Sequence, residues 1–331
     1  MYDSPMATGN GAFVIHKILE SKIPGYTVTP YNPYRTLFPP SLFFHRHHLR
    51  PRLIHTTPDY AIFHRKKNVP LILTFHNYVL DPFMRRYSSL LQNIHYRTDL
   101  RFFTKIAVAK AEAITAVSQY TAEMVKRDLQ LNRPIKVIYN GIDHTLFRPA
   151  KPAHFRSTKA IKVLYCGNLS QRKGAQWLIP IVEQLDRNIT IAYTAGLRTR
   201  NLLPCHPQLE CLGTIPHHAM PSVYQSADIL LFPTVREGYG LAAAEAMACG
   251  LPIVATNCSS LPELIDEGKG GFLCRLGDVS DFSEKIRVLA GNPALRQEMG
   301  EYNRGKVEER FTVDQMVKQY IELFEQVLAT S

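Results

Sequence analysis

The sequence predicts an α/β fold of two doubly wound domains, each a parallel sheet covered by helices. Three observations carry this. The 331 residues exceed what one hydrophobic core organises, so two domains are the default. Short apolar runs such as Leu71–Phe75, Ile161–Tyr165 and Ile229–Phe232 alternate with longer helical stretches, which is how strands buried on both faces read. The halves also differ in charge: residues 1–150 hold 20 Lys and Arg against 9 Asp and Glu, and residues 151–331 hold 19 of each. The whole net charge of +11 therefore sits in the first half.

In order, Met6–Gly11 reads as a Gly-containing loop feeding a helix over Ala12–Leu19. Only five residues precede Met6, so the expected first strand is either truncated or very short. Such a loop brings backbone N–H groups to a phosphate, although a lone G-x-G also reads as an ordinary turn. Tyr26–Val28 reads as a strand. Pro30–Pro51 is loop-like and carries His45, His47 and His48 inside the basic–aromatic run Leu42–Arg50. No second ligand cluster follows, so a metal site is disfavoured. A membrane- or anion-gripping loop and a plain solvated loop stay open. Leu53–His55 and Leu71–Phe75 read as strands, and His76 ends the second, where α/β sheets place functional side chains. Pro82–Ala113 interleaves apolar and basic residues at helical spacing. It reads as a helix lying on anionic lipid or as a core-packed helix with a basic outer face. Ile114–Ser118 and Lys136–Tyr139 are strands around a helix at Thr121–Leu129, and Pro149–Thr158 is the linker.

The second half begins with the strand from Ile161, the loop Gly167–Gly174 and a helix from Ala175. Arg172 and Lys173 fall at that helix start, where cations and N–H groups together suit a diphosphate. Strands follow at Ile189–Ala195 and Leu209–Ile215, then a short helix at Met220–Asp228. The centre of the chain is Ile229–Gly271: a buried strand, a loop with Glu237 and Gly238-Tyr239-Gly240, and an Ala-rich helix Leu241–Cys249 carrying Glu245. Gly250 and Pro252 end that helix, and Ile253–Ala255 starts another strand. Glycine lets backbone N–H groups crowd a ligand at the positive helix end. Two carboxylates beside such an end suit a ligand with phosphate and several hydroxyls, such as a nucleotide sugar. Helices at Asp278–Leu289, Asn292–Arg310 and Val313–Leu328 close the chain.

Glu237-x7-Glu245, with EAMACGLPIVAT and PELIDEGKGGFL, resembles the retaining glycosyltransferases of the GT-B fold, family 4 (group 1). The resemblance is good over residues 107–328 and loose over 1–106. It implies two Rossmann-like domains facing each other across a cleft: 1–152 on the acceptor side, and 158–308 binding the nucleotide sugar. A last helix, about 311–331, would pack back on the first domain. VIYNGIDHTLFRP resembles the family's segment closing the N-terminal domain. The resemblance also implies the roles. Gly9 and Gly11 approach the donor diphosphate, and Arg172 and Lys173 stabilise it without a metal. Glu237 and the loop Gly238, Tyr239, Gly240 and Leu241 hold the donor sugar, Glu245 the ribose, and backbone near Ile215 the base. His76 orients the sugar from the opposite face, and the departing phosphate itself takes the acceptor's proton. Glu237 as covalent nucleophile is the less favoured variant. Family members often carry Arg after the first Gly of the 167–174 loop; here Asn168 stands there, with Arg172 the replacement.

The expected function is therefore transfer of a sugar from a UDP- or GDP-type donor, with no cofactor and no metal, to a lipid-linked, glycan or other anionic acceptor. A catalytically silent sugar-nucleotide-binding protein and an epimerase of the same fold are the alternatives. No Asp-x-Asp occurs, so the commonest metal-diphosphate signature of the other large glycosyltransferase fold is absent. The six cysteines form no C-x-x-C, which reads as reduced thiols and a cytoplasmic location. No apolar run of 18 or more and no signal peptide is present. The basic first half is expected to meet an anionic membrane face peripherally rather than nucleic acid, for which no motif exists.

Overall fold

The computed structural model describes residues 1–44, 51–150, 160–196, 199 and 202–330. The His45–His48 cluster and most of the expected linker lie outside the described residues. The chain divides into two compact units, Met1–Gly141 with Val313–Ser331, and Ile142–Thr312.

In the first unit, β1 (Tyr2–Ala7), β2 (Tyr26–Tyr31), β3 (Leu53–Thr56), β4 (Leu71–Phe75), β5 (Ala113–Ala116) and β6 (Lys136–Val137) form one sheet in the order β2-β1-β3-β4-β5-β6. All of its pairings are parallel. β3 and β4 are buried throughout, as strands covered by helices on both faces must be. The first strand is neither missing nor confined to the residues before Met6. Met6 and Ala7 belong to it, and the loop shrinks to Thr8–Asn10. Asn10 caps the helix Gly11–Lys22 by accepting the Phe13 N–H at 2.8 Å. The stretch expected as one helix over Pro82–Ala113 is instead a 3₁₀ turn, Pro82–Tyr87, followed by helical Leu90–Lys110 with a π-helical bulge at Tyr96–Leu100.

In the second unit, β7 (Ile161–Tyr165), β8 (Ile189–Tyr193), β9 (Leu209–Cys211), β10 (Ile229–Phe232), β11 (Ile253–Thr256) and β12 (Gly271–Cys274) run parallel in the order β12-β11-β10-β7-β8-β9. β9 is shorter than the Leu209–Ile215 expected; beyond it the Gly213 carbonyl still accepts the Ala195 N–H at 2.8 Å, with Gly213 left-handed at φ +71°. Strand order reverses between β7 and β10, the topological switch point outside which doubly wound sheets take their ligands. Two loops meet that point: the one after Tyr165 and the one after Phe232.

Candidate active site

Those two loops are laced together. Tyr165 at the end of β7 donates its hydroxyl to the carbonyls of Asn168 (3.0 Å) and Lys173 (3.3 Å). Arg172 turns its carbonyl to the other loop, accepting the Val235 N–H at 3.0 Å and the Thr234 hydroxyl at 3.1 Å. Gly174 follows at φ +78°, and a Cβ there would lie 2.0 Å from the Pro233 carbonyl oxygen. No other residue type permits that approach. Arg172 and Lys173 consequently sit in their own 3₁₀ turn, Gln171–Lys173, and not at the start of a helix as expected. The left-handed glycine separates that turn from Ala175–Trp177 and the helix Leu178–Val182.

The lacing sets a charge pair. Lys173 Nζ lies 2.5 Å from Glu237 Oε1, and the Thr234 hydroxyl donates to the same oxygen at 2.9 Å. Glu237 is 9% exposed, and a carboxylate so placed requires a partner cation. Its backbone is fixed as well: the Glu237 N–H donates to Ser259 Oγ at 2.9 Å, and Ser260 Oγ donates to the Tyr239 carbonyl at 3.1 Å. The loop after β11 thus shapes the Gly238-Tyr239-Gly240 turn. Tyr239's ring is buried against Phe311, with centroids 6.0 Å apart, so this residue can offer a ligand its backbone but not its ring. Gly240 stands at φ +101° before the helix Leu241–Ala248, whose first N–H groups have no partner within the helix.

Glu245 lies on that helix. Tyr224 donates its hydroxyl to Oε2 at 2.9 Å, and His217 Nε2 lies 3.1 Å from Oε1. The hydrogen bond to Glu245 raises the His217 pKa, against a smaller effect of burial. Burial lifts the Tyr224 phenol well above its usual value and the neighbouring Cys166 thiol to about 11, so both stay protonated. Sequence reasoning missed His217, Tyr224 and Thr234. His217 directly follows Ile215-Pro216, the segment expected near a base, and that adjacency was the available signal.

In the first unit, Gly9 is left-handed at φ +78° in the loop after β1, and Gly11 is the first residue of its helix. His76 follows β4 and makes a close contact that the sequence did not announce: its Nε2 lies 3.1 Å from Nε2 of His16. His16 Nδ1 in turn meets Ser4 Oγ at 2.7 Å and the Tyr26 hydroxyl at 2.8 Å. Tyr26 also meets His55 Nδ1 at 2.7 Å, and His55 Nε2 meets Thr74 Oγ1 at 2.7 Å. Thr74 continues to Thr115 (2.6 Å) and Tyr320 (3.3 Å). Burial lowers the pKa values of His55 and His76 to about 3 and holds His16 well below its ordinary value. All three are neutral at pH 7. His76 can orient or accept a hydrogen bond, but it does not bring a positive charge.

Among the described residues no group of three His, Cys, Asp or Glu side chains is placed to hold a metal ion. Residues 160–292 match the family described as glycosyl transferases group 1, and residues 5–146 match glycosyltransferase family 4. An uncharacterized glycosyltransferase of Methanocaldococcus jannaschii is 27% identical over 271 residues, 81% of this chain and 71% of that protein. Sucrose-phosphate synthase from Thermosynechococcus elongatus superposes with a TM-score of 0.84 at 17% identity, covering 100% of this chain and 99% of that one. HepE of Anabaena, solved with UDP and glucose, gives 0.76 at 19%, covering 98% and 99%. At such identities the solved structures establish the fold, two Rossmann-like domains of the GT-B type.

Proposed function

Because the chain belongs to glycosyltransferase family 4, we propose that it moves a sugar, with retention of anomeric configuration and without a metal, from a nucleotide-diphosphate sugar to an acceptor hydroxyl. The observation that carries this is the pairing of Lys173 with Glu237 where two loops cross the switch point of the second unit. Breaking a glycosyl phosphate bond builds negative charge on the departing diphosphate. Arg172 and Lys173 would stabilise that charge, together with the positive end of the Leu241–Ala248 helix. Preorganised cations of this kind give the largest contribution when they are fixed before the reaction; the carbonyl contacts fix the Arg172 backbone, and Glu237 fixes the Lys173 ammonium.

Both bonds at the Glu237 carboxylate go to Oε1, so Oε2 is the oxygen a sugar hydroxyl would meet. Glu245, with its carboxylate already held by Tyr224 and His217, would accept from the ribose hydroxyls, and backbone near Ile215 would meet the base. His76, neutral, would orient the sugar or its acceptor, and Gly9 and Gly11 would admit the diphosphate. The similarity to HepE, solved with UDP and glucose, supports a uridine donor. The acceptor is anionic and is met at the inner membrane face, for which the basic first half is the support.

A thermal-shift panel of nucleoside diphosphates and their sugars tests this. Wild type should be stabilised by one base series. Glu245→Ala should lose that shift, and Glu237→Ala should keep it while turnover falls. Release of diphosphate on adding acceptor separates a transferase from a silent binder, and the anomeric configuration of the product separates retention from inversion. No stabilisation by any nucleotide would overturn the reading. Equal loss of binding in both variants would overturn the division between Glu237 and Glu245.

A further inference from the structure

The first unit presents an apolar face that nothing in the reaction uses. Leu90, Leu91, Ile94 and Phe102, on the bulged helix, are 76%, 79%, 53% and 59% exposed. Leu90, Leu91 and Ile94 fall at i, i+1 and i+4, one side of a helical turn. A chain of rings, running through the buried Phe63, links this helix to a second exposed apolar segment. Phe102 packs on Phe103 (5.4 Å between centroids), Phe103 on Phe63 (4.8 Å), and Phe63 on Phe43 (4.9 Å), itself exposed beside Leu37 and Phe38.

A cavity of about 300 Å³ lies against the same helix, lined among others by Arg85, Asn93, Tyr96, Arg97, Arg101 and Asp128. The π bulge shapes it. Bulges re-aim side chains by inserting one residue into the helical ladder, and they recur at functional sites. This one is anchored from inside: Asp99 accepts from Tyr60 at 2.9 Å and pairs with His95 at 2.9 Å. Asn93 ties the helix to the preceding turn by donating to the Arg85 carbonyl at 3.1 Å. Arg101 is occupied by Asp128 at 2.6 Å, whereas Arg85 and Arg97 are exposed at the cavity wall.

We propose that this face docks on an anionic lipid bilayer, with the leucines and phenylalanines entering the acyl boundary and Arg85 and Arg97 receiving a lipid phosphate at the cavity. Large exposed apolar groups rimmed by arginines suit an anionic interface, where burial of a face 5–10 Å deep adds to charge attraction. A second copy of the chain fits less well. The unit is strongly basic, and a two-fold contact would set its cations against themselves. No helix among the described residues is long and apolar enough to cross a membrane, so the contact is peripheral. That the bound lipid is also the acceptor rests on the transferase reading; that the face binds lipid does not.

Co-sedimentation with phosphatidylglycerol–phosphatidylcholine vesicles, against pure phosphatidylcholine, decides it. Wild type should bind the anionic vesicles, and more weakly as salt rises. Arg85→Glu with Arg97→Glu should weaken binding by about thirtyfold or more. Leu90→Ser with Leu91→Ser should remove the part that survives high salt. Each variant should retain the wild-type thermal shift with nucleoside diphosphate, which shows that it folds. Absence of wild-type binding, or binding indifferent to both double variants, overturns the inference. So does a concentration-dependent dimer, seen by sedimentation velocity, that only the leucine variant abolishes. Soluble glycerol 3-phosphate displacing no protein from vesicles is expected; full displacement would assign the cavity to a soluble anion. Should nucleotides fail to shift wild type while vesicles bind, the transferase reading falls and this one stands.

Discussion

At Gly174 the pairing of Lys173 with Glu237 depends on one missing methyl group. The residue before it, Lys173, neutralises Glu237, and the loop after it must pass under Pro233 to let the two meet. Gly174→Ala places a Cβ 2.0 Å from a backbone oxygen at a left-handed φ, so the loops must separate. The φ change alone costs about 1 kcal/mol; with the loop displacement the expected loss is about 2–4 kcal/mol. The thermal shift with nucleoside diphosphate should vanish with it, because Arg172 and Lys173 move together. A variant with wild-type melting and wild-type ligand shift would mean that the loops are not held by this contact. Glu245 differs in kind: its partners Tyr224 and His217 come from another element and need no strained backbone.

Elements buried on both faces were legible, and those whose polar groups are satisfied internally were not. β10 is an unbroken apolar run and β4 is interrupted only by Thr74, so both read as strands at once. β1, Tyr-Asp-Ser-Pro-Met-Ala, is hidden because its buried polar residues have partners far along the chain: Ser4 on His16, Asp3 on Thr29. Pro5 disguises it further, and is tolerated because pairing with β3 involves only Tyr2 and Asp3. The Arg172–Lys173 turn was misread for a similar reason, since only the Pro233 contact shows why Gly174 stops a helix there. The helix Pro293–Arg310 was legible, but its function in holding the site helix was not. Arg304 on it donates through Nη1 to the carbonyls of Ala248 (2.9 Å), His144 (2.9 Å) and Phe147 (2.8 Å). These close the end of the helix bearing Glu245. Arg304→Met leaves three acceptors short of a charged donor, with an expected loss of about 2–3 kcal/mol in urea unfolding. Arg304→Lys should recover only part of it, because one ammonium cannot meet these carbonyls and also Glu308, which Nε and Nη2 hold at 2.6 Å; full recovery would show that charge alone matters.

Across the whole molecule, the buried histidines of the first unit and His217 of the second should respond oppositely to acid. His16 and His55 are fully buried in the first unit, faced by Ser4, Tyr26, Thr74 and His76 and, beyond these, by Thr115 and Tyr320. Each is held neutral by burial, with the folded pKa far below the ordinary 6.5. Below pH 6.5 the unfolded chain takes up protons that the folded unit refuses, so stability falls as pH falls through that window. At pH 5 the loss is about 2 kcal/mol for His55, from 1.5 pH units below the unfolded value, and His16 adds in the same direction. His217 in the second unit carries the opposite sign. Its raised pKa gives stability that is present in acid and lost as pH rises through the folded value, and its half-exposed ring keeps the effect small. Thermal unfolding between pH 7.5 and 4.5 should therefore show the first unit melting progressively earlier, by hydrogen exchange at β3 and β4, while β10 and β11 hold. Glutamine at position 55, His55→Gln, should reduce the pH slope of that transition by about one proton. A first unit as stable at pH 4.5 as at pH 7.5, or a slope unchanged by the substitution, would mean that the imidazoles reach solvent and charge without unfolding. His76 would then not be confined to the neutral role assigned to it beside the sugar.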